Sequence, residues 1–89
     1  MPNFIFQLLD GTGRDAVERE AEFNDFQAAR QEARRALGSL ANDGLPEDPA
    51  NMMSVEVLDA DRNPLLEVRL TFDEIRKDER VGGMTAVQL

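Results

Sequence analysis

The residue types that are missing from this chain restrict its chemistry. It contains no cysteine, histidine, tyrosine or tryptophan. The absence of cysteine excludes disulfides and thiol chemistry, a pattern consistent with the cytoplasm. General acid-base or nucleophilic catalysis would have to use carboxylates, hydroxyls or one lysine, Lys77, which lies in a run of charged residues. The sequence therefore predicts a cytoplasmic protein that is not an enzyme and that binds no cofactor.

Long apolar runs and excess positive charge are also missing. The first apolar run, from Phe4 to Leu9, is short, is interrupted by Gln7 and follows no basic leader. It fits neither a signal peptide nor a membrane span. The 18 acidic and 10 basic residues give a net charge of −8. Because this charge repels polyanions, nucleic acid and anionic membranes are not expected as partners.

The remaining composition is that of one small globular domain. The chain has 89 residues, of which 42% are hydrophobic, so it suffices for a single core. We expect this domain to span residues 1–72. Residues 73–89 form a charged, glycine-hinged C-terminal tail, for which we predict partial disorder.

Hydrophobic periodicity predicts the elements of the domain. Alternation from Asn3 to Leu9 is typical of a half-buried strand, and Asp15–Glu18 is predicted as a short second strand. A helix from Phe26 to about Ala41 is predicted next, capped by Asn24 or Asp25. We expect its apolar stripe to consist of Phe26, Ala29, Ala33, Leu37 and Leu40.

The segment from Met53 to Phe72 predicts a β-hairpin with seven apolar side chains towards the helix. They are Met53, Val55, Val57, Leu66, Val68, Leu70 and Phe72. Two registers keep this face intact, with Glu56 opposite either Glu67 or Arg69. Opposite charges on facing residues are favourable, so we predict the pairing with Arg69. The predicted fold is α+β, with one antiparallel sheet of three or four strands, one helix on one face and the order β-β-α-β-β.

The order of these motifs resembles a family of short, mostly alphaproteobacterial proteins classed as a domain of unknown function. The resemblance rests on FxL with a following DG, on DFxAARxEA in the helix, and on VEVxDxxxxPLLxVRLTF in the hairpin. It extends from about Phe4 to Phe72. Because these are mostly packing and turn residues, the resemblance implies a fold and no chemistry.

The hairpin turn resembles the start of a calcium loop but lacks its later ligands. Asp59, Asp61 and Asn63 reproduce the alternation of oxygen ligands in such loops. However, Pro64 occupies the position that requires glycine, and Leu70 occupies that of the bidentate glutamate. We therefore interpret the segment as a polar turn and predict no metal site.

Two surfaces are candidates for interaction. Arg30, Arg34 and Arg35 concentrate positive charge on the helix and could bind an acidic partner protein, although they could also form a solvated face. Leu58 and Leu65 lie on the sheet face away from the helix and could form a homodimer contact.

The functional hypothesis is a small interaction or regulatory module that binds another protein or itself. The alternative is an antitoxin-like or nucleic-acid-mimicking acidic protein, which rests on the net charge and on the order of elements.

Overall fold

A computed structural model of the chain describes residues 1–10, 17–47 and 51–78. The elements are β1 (Asn3–Leu9), β2 (Val17–Glu22), α1 (Phe26–Asp43), β3 (Met52–Asp59) and β4 (Pro64–Thr71). The strands form one antiparallel sheet in the spatial order β2-β1-β3-β4, and α1 packs on one of its faces. The predicted α+β class and element order are confirmed, with four strands. Most of the predicted tail, residues 79–89, lies outside the described residues.

The second strand occupies different residues from those predicted. The sequence predicts Asp15–Glu18, whereas β2 spans Val17–Glu22; residues 15 and 16 are not among those described. Along β2, Ala21 packs against the core while Glu20 and Glu22 are exposed. Glutamate is a good helix former, but on an edge strand alternate glutamates can project into water.

The helix begins at a capped N-terminus and ends at a glycine. Asp25 has extended backbone angles, and its Oδ1 accepts a hydrogen bond from the Ala28 N–H at 2.9 Å. Asp25, rather than Asn24, is therefore the N-cap. The helix continues to Asp43, slightly beyond its predicted end, and Gly44 follows with a φ of 159°.

Small side chains bring α1 close to the sheet. Ala29, Ala33 and Ala36 are buried, and Leu37 and Leu40 pack partly buried beside them. The prediction is wrong for Phe26, which is 37% exposed. Phe26 is the first residue of α1, so it lies at the end of the buried stripe, where no preceding turn of the helix packs beside it.

The sheet contributes the large side chains of the core. Phe6, Val55 and Val57 are fully buried beneath α1. The ring of Phe23 packs edge-on against Phe6, with centroids 5.7 Å apart, and also contacts Phe4 at 6.4 Å. Because Phe23 lies between β2 and α1, these contacts fix the entry of the chain into the helix.

The helix-facing side of the β3–β4 hairpin is only partly as predicted. Met53 is buried with Val55 and Val57, while Leu66 and Val68 are half-buried against the core. Leu70 is 38% exposed because it lies on an edge strand. Phe72 lies beyond the end of β4 and is half-buried.

The predicted register of this hairpin is wrong. Glu56 lies opposite Glu67, and Arg69 lies opposite Ser54. The turn decides this register: the Arg62 N–H donates to the Asp59 carbonyl, and Arg62 has a φ of 68°. A tight turn followed by a left-handed residue joins strands at a fixed offset. Arg69 reduces the like-charge repulsion by donating to Glu67 on its own strand at 2.9 Å.

Candidate functional site

The three helix arginines do not form one surface. Arg35 donates two hydrogen bonds to Glu32, at 2.9 and 2.6 Å, as their spacing of three predicts. Arg19 of β2 lies 3.8 Å from the same carboxylate. The hydrogen bond from Arg35 is the main cause that lowers the pKa of Glu32, and it raises the pKa of Arg35. Arg35 is therefore already engaged within the molecule.

Arg30 and Arg34 are different, because neither has an ion-pair partner among the described residues. Arg34 is exposed and Arg30 is half-buried. Arg30 lies about 200° around the helix from Glu32. Because Glu32 contacts Arg19 of β2, Arg30 is on the side of α1 towards β4.

The exposed ring of Phe26 lies one turn before Arg30 on this side of the helix. We call Phe26, Arg30 and Arg34 the cationic flank. It combines an apolar ring with two guanidinium groups, the residue types that are enriched at protein interfaces.

The opposite face of the sheet is closed in part by an ion pair that crosses it. Arg62, in the β3–β4 turn, donates two hydrogen bonds to Glu18 of β2, at 2.8 and 3.1 Å. Because β1 lies between β2 and β3, the Arg62 and Glu18 side chains together span the two inner strands. On those strands Ile5 and Leu58 face each other and are each 6% exposed. The aliphatic part of an arginine can cover such residues while its head remains in water.

This ion pair changes the prediction for the leucines on that face. Leu58 is buried and offers little surface to a partner, whereas Leu65 is 42% exposed. Sequence patterns did not predict this ion pair, since Glu18 and Arg62 are 44 residues apart. Arg62 is the single cation of a turn that also contains Asp59 and Asp61, but its partner depends on the sheet order.

The Glu18 carboxylate also accepts a hydrogen bond from Gln7 Nε2 at 3.4 Å. The Arg62 hydrogen bond is the largest influence on Glu18 and lowers its pKa. Within the folded chain, this carboxylate is therefore held in its charged form.

The turn that resembles a calcium loop uses its first carboxylate internally. Asp59 accepts hydrogen bonds from the N–H groups of Asp61 and Asn63 and from the Asn63 amide. The bond from the Asn63 N–H is the largest cause that lowers the pKa of Asp59. Among the described residues, no group of three or more acidic side chains is arranged to hold a metal ion.

A family model matches most of the chain. The model for the domain of unknown function DUF6894 covers residues 4–71. The chain belongs to this family. The matched residues begin in β1 and end at the last residue of β4, so the family corresponds to the β-β-α-β-β fold. No curated protein and no solved structure matches the chain.

The resemblance to a domain of unknown function that the motifs predict is therefore confirmed. The family description assigns no function to these residues. Within the described part of the chain, no helix has the length and apolar character required to cross a membrane.

Proposed function

We propose that this member of the DUF6894 family is a small, non-enzymatic protein-binding module that recognises an acidic segment of a partner protein. The observation that carries the proposal is the cationic flank. Arg30 and Arg34 lack ion-pair partners in the described residues, and the exposed ring of Phe26 lies one turn before Arg30.

Charge and composition support a protein target. A carboxylate on the partner could form charge-assisted, bidentate hydrogen bonds with either guanidinium, and Phe26 could supply a buried anchor. The absence of histidine, cysteine and tyrosine supports a role without catalysis. The absence of cysteine also agrees with action in the cytoplasm, which we include in the proposal.

The test compares partners captured by the full chain and by the Arg30→Ala/Arg34→Ala variant. Each partner that the variant loses is then purified and titrated against both proteins. We expect the double variant to bind about tenfold more weakly or worse, with a loss that shrinks at high salt. Arg35→Ala is the matched control, because it removes an arginine from the same helix whose charge is already paired with Glu32. Identical partners and affinities for all three proteins would disprove this role of the flank.

A second candidate function, mimicry of a polyanion as in antitoxin-like proteins, is favoured by the arrangement of β2. Glu18, Glu20 and Glu22 alternate along this strand and so share the face away from α1. Glu20 and Glu22 are exposed and have no ion-pair partner in the described residues. A partner of this kind would be a basic, RNA-cleaving protein. Its inhibition by the wild-type chain and not by Glu20→Gln/Glu22→Gln would support the second function over the first.

A further inference from the structure

The two edges of the sheet differ in chemistry. Each edge strand leaves one row of backbone N–H and C=O groups without a partner in the described sheet. β2, with the sequence VEREAE, carries charge at four of its six positions, which is how natural proteins discourage pairing at an edge. β4, with the sequence PLLEVRLT, is longer and mainly apolar.

Apolar surface accompanies the open backbone of β4. Leu65 is 42% exposed on one face of the strand, and Leu70 is 38% exposed on the other. Leu66 and Val68 are only half-buried. A long edge strand with exposed leucines on both faces is a template for a further strand.

The sequence of β4 complements itself in one antiparallel register. Facing residues in such a pair lie on the same face, so odd positions must meet odd positions. With Val68 opposite Val68 of a second copy, Glu67 meets Arg69 and Leu66 meets Leu70, each twice. Centring the pair on Glu67 or on Arg69 would instead place two identical charges directly opposite each other.

This register also places an opposite charge beside Glu67 of each copy. In the single chain, Glu67 lies opposite Glu56, and its cation is Arg69 on the same strand. Such exposed ion pairs are weak, so Arg69 can change partners at little cost. In the paired form Glu67 would have the second copy's Arg69 directly beside it, on the side away from Glu56.

We infer that two copies of this chain associate through their β4 strands, antiparallel and centred on Val68, to form one continuous sheet. A two-fold axis perpendicular to the sheet relates the copies, so both helices lie on the same face. α1 packs mainly over β3, and three strand spacings separate the two β3 strands by about 14 Å. Packed helices lie roughly 8–10 Å apart, so the helices do not collide.

The dimer places the two cationic flanks along one groove, but it does not depend on their function. The inference rests on β4 alone. It therefore stands or falls separately from the proposed binding of an acidic partner.

The test is a charge exchange across the proposed axis. Glu67→Arg and Arg69→Glu each replace both opposite-charge pairs with like-charge pairs. We expect each variant to dissociate about tenfold more readily than the wild type or worse. In a mixture of the two variants, arginines of one copy face glutamates of the other, so a heterodimer should form with affinity near that of the wild type. Sedimentation equilibrium from micromolar to near-millimolar concentration measures all four samples.

Controls separate this interface from other surfaces. Glu20→Arg introduces the same change on the other edge strand and should leave the dimer intact, as should Arg30→Ala/Arg34→Ala. Circular dichroism checks that each variant is folded. A wild-type chain that is monomeric throughout would overturn the inference. A dimer that both single variants leave unchanged would also overturn the inference, and so would variants that fail to associate when mixed. Either result would mean that the contact lies elsewhere or that β4 binds a different protein.

Discussion

At the scale of single residues, the N-cap and the buried stripe of α1 each depend on a difference of one position in the chain. Asn24 and Asp25 both satisfy the composition rule for a helix cap, and the choice depends on which residue adopts extended angles directly before the first turn. Phe26 has the spacing of a core residue but lies at the end of the buried stripe. Ala36, which the predicted stripe omits, is buried. The sequence contains the period of the stripe, whereas its centre depends on how α1 sits on the sheet.

The cap provides the first prediction. Asp25→Ala removes the acceptor of the Ala28 N–H and should reduce the free energy of unfolding by about 1 kcal/mol. Asn24→Ala is the matched control and should cause less than half of that loss, because Asn24 is not the N-cap. Urea denaturation followed by circular dichroism measures both. Equal losses for the two variants would contradict this assignment of the cap.

At the scale of elements, the geometry of the turn determines the register of the β3–β4 hairpin more strongly than the preference for opposite charges on facing residues. Both candidate registers of the β3–β4 hairpin preserve its apolar face, so the prediction depended on one cross-strand charge pair. Such a pair contributes only about 0.2–1 kcal/mol. The turn, with the left-handed Arg62 and the hydrogen bonds to Asp59, sets the offset instead. Asp59 and Asn63 are visible in the sequence, but the conformation of Arg62 is not.

The ion pair between Glu18 and Arg62 joins elements that are distant in sequence, and it leads to the second prediction. Glu18→Gln should lower the urea midpoint at low salt, and the difference should fade as salt screens the charges. Arg62→Ala should lower it further and at all salt concentrations, because we expect the aliphatic part of Arg62 also to cover Ile5 and Leu58. The reason is that one variant removes a charge and the other removes apolar cover as well.

A local ion pair serves as the reference for this experiment. Arg35→Ala removes the ion pair between Arg35 and Glu32. Both residues belong to α1, so this ion pair connects no separate strands. This variant should change the midpoint less than Arg62→Ala does. If the two variants behaved alike, the Arg62 side chain would not be covering the sheet.

At the scale of the whole molecule, the class and element order followed from periodicity, whereas the strand order did not. Short connections favour the β1–β2 and β3–β4 hairpins. The pairing of β1 with β3, which places β4 at an edge, brings together strands on opposite sides of α1 in the sequence. The open β4 edge is a consequence of that arrangement, so it could not be located before the strand order was known. Arg30 and Arg34 are predicted as an interaction surface from the sequence, but their position on the side of α1 towards β4 depends on the strand order.

The stability of the chain in acid tests how much its hydrogen-bonded carboxylates stabilise the fold. Hydrogen bonds from Arg62, Arg35 and the Asn63 N–H are the largest influences on Glu18, Glu32 and Asp59 respectively, and each lowers the carboxyl pKa. A carboxyl whose pKa is lower in the folded than in the unfolded chain stabilises the folded state. This contribution is fully present above the ordinary carboxyl pKa of about 4. That stability is lost as the pH falls through the folded-state pKa. The free energy of unfolding should therefore decrease as the solution is acidified below about pH 5.

A competing effect has the opposite sign, and it can be separated from the first. The net charge of −8 makes the folded chain repel itself, so protonation of other carboxylates relieves repulsion. Salt screens this long-range term more than it weakens the direct hydrogen bonds. In urea titrations at moderate salt, the decrease towards low pH should thus become steeper, and Asp59→Asn should reduce it. A wild-type stability that rises between pH 5 and pH 3 at moderate salt would show that relief of repulsion, and not the hydrogen-bonded carboxylates, controls the response to acid.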